Sequence, residues 1–145
     1  MRDNEVNILL VEDHAIDAEA IERAFRDARI ANPIYVARDG VEALAALRGD
    51  GAKPIPRPYL ILLDLNMPRM NGIEFLRELR EDEQLKSSIV FVLTSSDDDR
   101  DKAAAYKRQI AGYMVKSRAG EDFMDLIKLL DHYWRVIEFP PEQSG

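Results

Sequence analysis

The sequence has no cysteine among its 145 residues. Disulfides and thiolate metal sites are therefore excluded, and a reducing compartment is expected. Long apolar runs are also missing. No stretch approaches the roughly 20 residues of a membrane span. The opening MRDNEVNILLVEDH has too short an apolar run, with charges on both sides, to act as a signal peptide. A cytoplasmic protein with no membrane contact is the expectation. Positive charge is in deficit, with 20 Lys and Arg against 27 Asp and Glu and a net charge of −7. No basic patch stands out, which argues against direct binding of nucleic acid. Neither a GxGxxG nor a GxxxxGK[ST] loop occurs, which disfavours a nucleotide-binding fold of flavodoxin type. The only histidines, His14 and His132, are far apart in sequence; both read as structural or exposed, and neither as a catalytic base. A soft-metal site is correspondingly disfavoured.

What is present suits one domain with a real core, since 46% of residues are hydrophobic. Strands are expected at Asn7–Val11, Tyr59–Leu63, Ile89–Leu93 and Gly112–Val115, with Ile34–Ala37 a weaker fifth after the turn signal Asn32–Pro33. The runs at 59–63 and 89–93 are nearly all Ile, Leu, Val and Phe, as in strands covered on both faces of a parallel sheet. Helical spacing lies between them, in Ile21, Ala24, Phe25 and Ala28, in Leu44 and Leu47, and in Phe75, Leu76 and Leu79. A last helix carries the stripe Phe123, Ile127, Leu130, Trp134 and Ile137. Ser96 followed by Asp99 reads as a helix start. GDGAKPIPRP at 49–58 reads as a surface loop, and residues 138–145, with Pro140 and Pro141, as a tail beyond a domain spanning 1–137. Strand followed by helix, five times over, implies a doubly wound α/β domain.

Ligands of such sheets bind beyond the carboxyl ends of the strands. Those ends offer Glu12 and Asp13, then Asp64, then Thr94 and Ser95, then Lys116. Asp64 closes the apolar run LILLD just before a loop containing Pro68 and Gly72. A carboxylate there is costly unless something binds it. Two carboxylates about 4 Å apart repel by roughly 4 kcal/mol at an effective dielectric of 20. Three of them call for a cation or for protons. The oxygen-rich set suits Mg2+. A carboxylate beside such a cation and a lysine is a plausible nucleophile toward a phosphoryl group.

VED at 11–13, LLDLNMPRMNG at 62–72, VLTSS at 92–96 and GYMVK at 112–116 resemble the receiver domain of two-component response regulators. The resemblance spans roughly residues 5 to 137. It implies a flavodoxin-like five-stranded parallel sheet of order 2-1-3-4-5 with helices on both faces. It implies Asp64 as the phosphoacceptor, and Glu12, Asp13, Asp64 and the backbone carbonyl of Asn66 as ligands of Mg2+. Thr94 and Lys116 would meet the phosphoryl group, and Tyr113 would fill the space that Thr94 leaves. Asn66 and Ser96 fall at positions that tune dephosphorylation. The activity implied is phosphotransfer from a histidine kinase and slow self-dephosphorylation, rather than turnover of a substrate. One residue departs from the family pattern: Ser117 stands where proline usually follows the lysine after a cis peptide.

No DNA-binding segment follows in this sequence, so the expected output is a changed face of helix four, strand five and helix five, read through binding, dimerisation or onward phosphotransfer. Leu126, Leu129, Tyr133 and Val136 form a second apolar set on the last helix, and Phe139 follows it. A homodimer through this helix and the tail is the expectation. PRPYLILLDLNMPRMNG, LTSSDDDRD, the Lys–Ser pair and a last helix ending in HYW are similar to single-domain regulators paired with phytochrome-type histidine kinases. Two further readings compete with this one. A haloacid-dehalogenase-like phosphohydrolase would need a general acid two residues after its nucleophile, where this chain has Asn66. A receiver used as a scaffold without phosphorylation would have no need of the acidic set.

Overall fold

The computed structural model describes residues 6–50, 55–116, 124–136 and 138–140. In chain order the elements are β1 (Asn7–Val11), α1 (Ala15–Asp27), β2 (Ile34–Ala37), α2 (Gly40–Arg48), β3 (Tyr59–Leu63), α3 (Gly72–Glu81), β4 (Ile89–Thr94), α4 (Asp99–Tyr106), β5 (Gly112–Val115) and α5 (Met124–Val136). The strands form one sheet of order β2-β1-β3-β4-β5, and every pairing is parallel. The weak strand at 34–37 is real and lies at the sheet edge, which explains its mixed burial.

Alternation along each strand builds two cores. Leu9, Val11, Ile61, Leu63, Val90 and Val92 face one side, against Leu44 of α2, Phe75, Leu76 and Leu79 of α3 and Ala105 of α4. Ile8, Leu10, Leu60, Leu62, Phe91 and Leu93 face the other, against Ile21 and Phe25 of α1 and Ile127 and Leu130 of α5. The register decides the site. Val11 pairs with Leu63, and Leu63 with Val92, so the residues just beyond these strands emerge at one edge.

The starts of α2, α3 and α4 are capped by side chains. Asp39 accepts from the Glu42 N–H, and Asn71 with Glu74 forms a reciprocal capping box on α3. The expected cap at Ser96 is corrected. Asp98 caps α4, while the Ser96 hydroxyl donates to Asp101 Oδ2 at 2.6 Å. β4 also runs one residue further than expected, through Thr94. The Lys116–Ser117 peptide bond, Phe123, Ile137 and residues 141–145 lie outside the described residues, as do the side chains of Leu126 and Trp134.

Candidate functional site

Four of the five strand ends deliver one group each. Asp64 follows β3, and its N–H donates to the Val11 carbonyl at 3.0 Å, which extends the β1–β3 ladder to the acidic residue. Glu12 follows β1, with its N–H on the Ala37 carbonyl at 2.9 Å. Thr94 ends β4 and Lys116 follows β5. Glu12, Asp64 and Thr94 are almost fully buried.

Asp64 is held at both oxygens. Thr94 Oγ1 donates to Oδ1 at 2.7 Å, and the Asn66 backbone N–H donates to the same oxygen at 3.2 Å. Lys116 Nζ lies 3.4 Å from Oδ2. The ammonium is closer to two other carboxylates, at 2.8 Å from Glu12 Oε1 and 2.7 Å from Asp17 Oδ2. Thus one lysine serves Glu12, Asp17 and Asp64. Burial alone would weaken its charge, but the hydrogen bonds to Asp17 and Glu12 outweigh burial and hold its pKa up at about 12. For Glu12 the balance runs the other way. Burial, helped by the neighbouring Asp64 charge, raises its carboxyl above the ordinary range despite Lys116.

Asp13 is exposed and lines a shallow depression of about 510 Å3 with His14, Leu65, Asn66, Met67, Pro68 and other residues of the β3–α3 loop and α4. Asn66 is exposed, and its side-chain amide stands 3.5 Å from Ser95 Oγ. Tyr113 is half-buried and donates from its hydroxyl to the Ser96 carbonyl at 3.0 Å. Thr94 therefore already touches Asp64, and Tyr113 is already anchored on the β4–α4 loop.

Two residues at the site were not expected. His14 Nδ1 lies 3.0 Å from Glu12 Oε2 and 3.8 Å from Asp64 Oδ2, and the His14 backbone N–H also donates to Glu12 Oε2 at 3.1 Å. The hydrogen bond with Glu12 raises the imidazole pKa. Asp17, in the first turn of α1, is the other. Both follow closely on Glu12 in sequence, and that proximity to a strand end was the available signal.

The surface set on α5 divides. Leu129 and Val136 are exposed by 54% and 65%. Tyr133 and Phe139 are only partly buried and pack against the chain's own core, with the Tyr133 ring edge-on to Phe91 at 5.0 Å.

A family model described as the response regulator receiver domain matches residues 8–128. The chain belongs to the response regulator receiver domain family. Response regulator Rcp1 of Synechocystis sp. is 36% identical over 128 residues, covering 88% of this chain and 87% of the relative. The solved Mn2+-bound form of Rcp1 superposes with a TM-score of 0.81 at 34% identity, covering 94% of this chain and 99% of that one. The phosphorylated cyanobacterial phytochrome response regulator RcpA gives a TM-score of 0.83 at 33% identity, with the same coverage. The receiver fold of this chain is therefore established in sequence and in topology. Among its described residues no helix is long and apolar enough to cross a membrane.

Proposed function

We propose that this receiver accepts a phosphoryl group on Asp64 from the phosphohistidine of a partner kinase. The observation that carries the reading is the convergence of Thr94, Lys116 and Glu12 on one buried aspartate at the end of β3. An Asp64 oxygen attacks phosphorus in line, the N–P bond to the kinase imidazole breaks, and an acyl phosphate forms. Lys116 offsets charge on the transferring oxygens, and the Thr94 hydroxyl donates to one of them. The Asn66 N–H steadies the acceptor carboxylate.

The donor set fits a hard divalent cation such as Mg2+. Glu12, Asp13, Asp64 and the Asn66 carbonyl would hold it, and all of these donors are oxygens. When bound, such a cation draws the phosphoryl oxygens toward the acceptor and neutralises them. Asn66 stands where a haloacid-dehalogenase-like hydrolase needs an acid, and its amide cannot supply a proton. Asn66 and Ser96 flank the acceptor and the β4–α4 loop, where they would set the access of water to the acyl phosphate.

The likeness to Rcp1 and RcpA supports a phytochrome-type histidine kinase as partner, and a cytoplasmic setting. The output we infer is a homodimer. The exposed Leu129 and Val136 of α5 would form its centre, with Tyr133 and Phe139 at its margin. A small phosphodonor with an N–P bond, such as phosphoramidate, tests the chemistry by intact mass in the presence of Mg2+. One added phosphoryl group on the wild type and none on Asp64→Asn is expected. Equal labelling of both proteins would overturn the assignment, and no labelling of the wild type would favour the scaffold reading.

A further inference from the structure

The family chemistry above leaves His14 without a role, yet its ring nitrogen stands among the acidic donors. One ligand atom from each of Glu12, His14 and Asp64 lies within 4.8 Å of the other two. His14 Nδ1 lies 3.0 Å from Glu12 Oε2 and 3.8 Å from Asp64 Oδ2. Neighbouring ligands of an octahedral cation with bonds of about 2.1 Å are about 3.0 Å apart. The Glu12–His14 edge matches that spacing, and the His14–Asp64 edge is longer by about 0.8 Å. The cluster is also braced. Glu12 Oε2 accepts from the His14 backbone N–H and lies against Nδ1, so the cation takes the place of the proton that Nδ1 shares with it, while Lys116 occupies the other oxygen, Glu12 Oε1. The His14 side chain is 59% exposed, so water can serve the second ring nitrogen once Nδ1 is committed.

We propose that His14 Nδ1 is a protein ligand of the cation site and shifts its preference from Mg2+ toward first-row transition ions. The inference rests on the cation site proposed above. Imidazole is a borderline-soft donor that adds little for Mg2+, which prefers oxygen and keeps its waters. Ions from Mn2+ to Ni2+ and Zn2+ gain progressively from a nitrogen ligand. His14 would therefore set metal selectivity within a site whose other donors are oxygens. The residue suits replacement, because as the N-cap of α1 it makes no side-chain capping hydrogen bond.

The test titrates the purified full chain and His14→Ala with Ni2+ and with Mg2+ by calorimetry. It also records the electron spin echo modulation of bound Mn2+. The expected result is a loss of about tenfold or more in Ni2+ affinity in the variant, with Mg2+ affinity changed less than about twofold. A modulation from directly bound 14N should appear in the wild type and vanish in His14→Ala. Unchanged Ni2+ affinity, or equal losses for Ni2+ and Mg2+, would overturn the proposal, the second showing that His14 merely positions Glu12. A wild type that binds neither ion would overturn the cation site itself. That outcome is distinct from a site that binds both ions without discrimination by His14.

Discussion

Replacing Lys116 with methionine keeps the volume of the stem and removes the charge that three carboxylates share. The side chains of Glu12 and Asp64 are each 1% exposed, whereas that of Asp17 is 36% exposed and can turn to water. Breaking a buried ion pair by removing one partner costs about 3–5 kcal/mol. The lower end applies here, because Lys116 is itself 12% exposed and Glu12 keeps its bonds from His14. A loss of about 3 kcal/mol in a domain of this size lowers Tm by about 10 °C. The pH dependence has a definite sign. Glu12 already has a raised carboxyl pKa in the folded protein, and losing Lys116 raises it further. An acid whose folded pKa is raised binds more protons folded than unfolded, so its penalty grows as pH rises. The deficit of Lys116→Met should be small near the ordinary glutamate value of 4.5 and reach its full size above the folded pKa. Mg2+ should restore more Tm to the variant than to the wild type, since the cation replaces the missing charge. Thermal unfolding by circular dichroism, at several pH values with and without Mg2+, measures all three effects. A deficit under about 3 °C, or one that shrinks as pH rises, would refute the reasoning.

Other expectations follow from particular contacts. Gly72→Ala would place a Cβ 2.6 Å from the Leu65 Cα and 2.8 Å from the Asp64 carbonyl oxygen, both backbone atoms. It should cost about 3 kcal/mol in urea unfolding and slow phosphorylation at the displaced Asp64. Arg80 donates to the carbonyls of Lys86, Ser88, Arg108 and Gln109 at 2.7–2.9 Å, tying α3 to the segments before β4 and β5. Arg80→Ala should therefore destabilise by about 2–4 kcal/mol, and Arg80→Lys should recover only part of that, by chemical denaturation. The proposed dimer predicts a dimeric molar mass for the wild type by light scattering and a monomeric one for Leu129→Glu with Val136→Glu, with Tm little changed because both positions are exposed. An unchanged molar mass would remove α5 from the dimer.

The sequence was informative where burial dictates it. Continuous apolar runs marked β3 and β4, because a strand covered on both faces has no polar side to show. Asp64 and Glu12 stood out because each ends such a run. Cap choice was less legible. SSDDD at 95–99 offers five residues that can each accept from a backbone N–H, and only the packing of α4 selects Asp98. The partners of Lys116 were hidden for a different reason. Asp17 lies 99 positions away, and side-chain direction decides whether such groups meet. His14 was discounted as a lone histidine, yet the β1–α1 turn folds it back onto Glu12. On α5, Leu129 and Tyr133 look alike in spacing, but only Tyr133 has a ring long enough to reach Phe91.

The central claim is that Asp64 forms an acyl phosphate. Borohydride reduces an acyl phosphate of aspartate to homoserine, leaving a permanent mark at the residue that carried it. The decisive measurement treats the protein with phosphoramidate and Mg2+, reduces it, and maps the product by peptide mass spectrometry. Homoserine at position 64 alone, and none when Mg2+ is chelated first, is the predicted result. Homoserine at Asp13 or Asp17 in its place, or an unmodified Asp64 in a protein that has gained a phosphoryl group, would contradict the account.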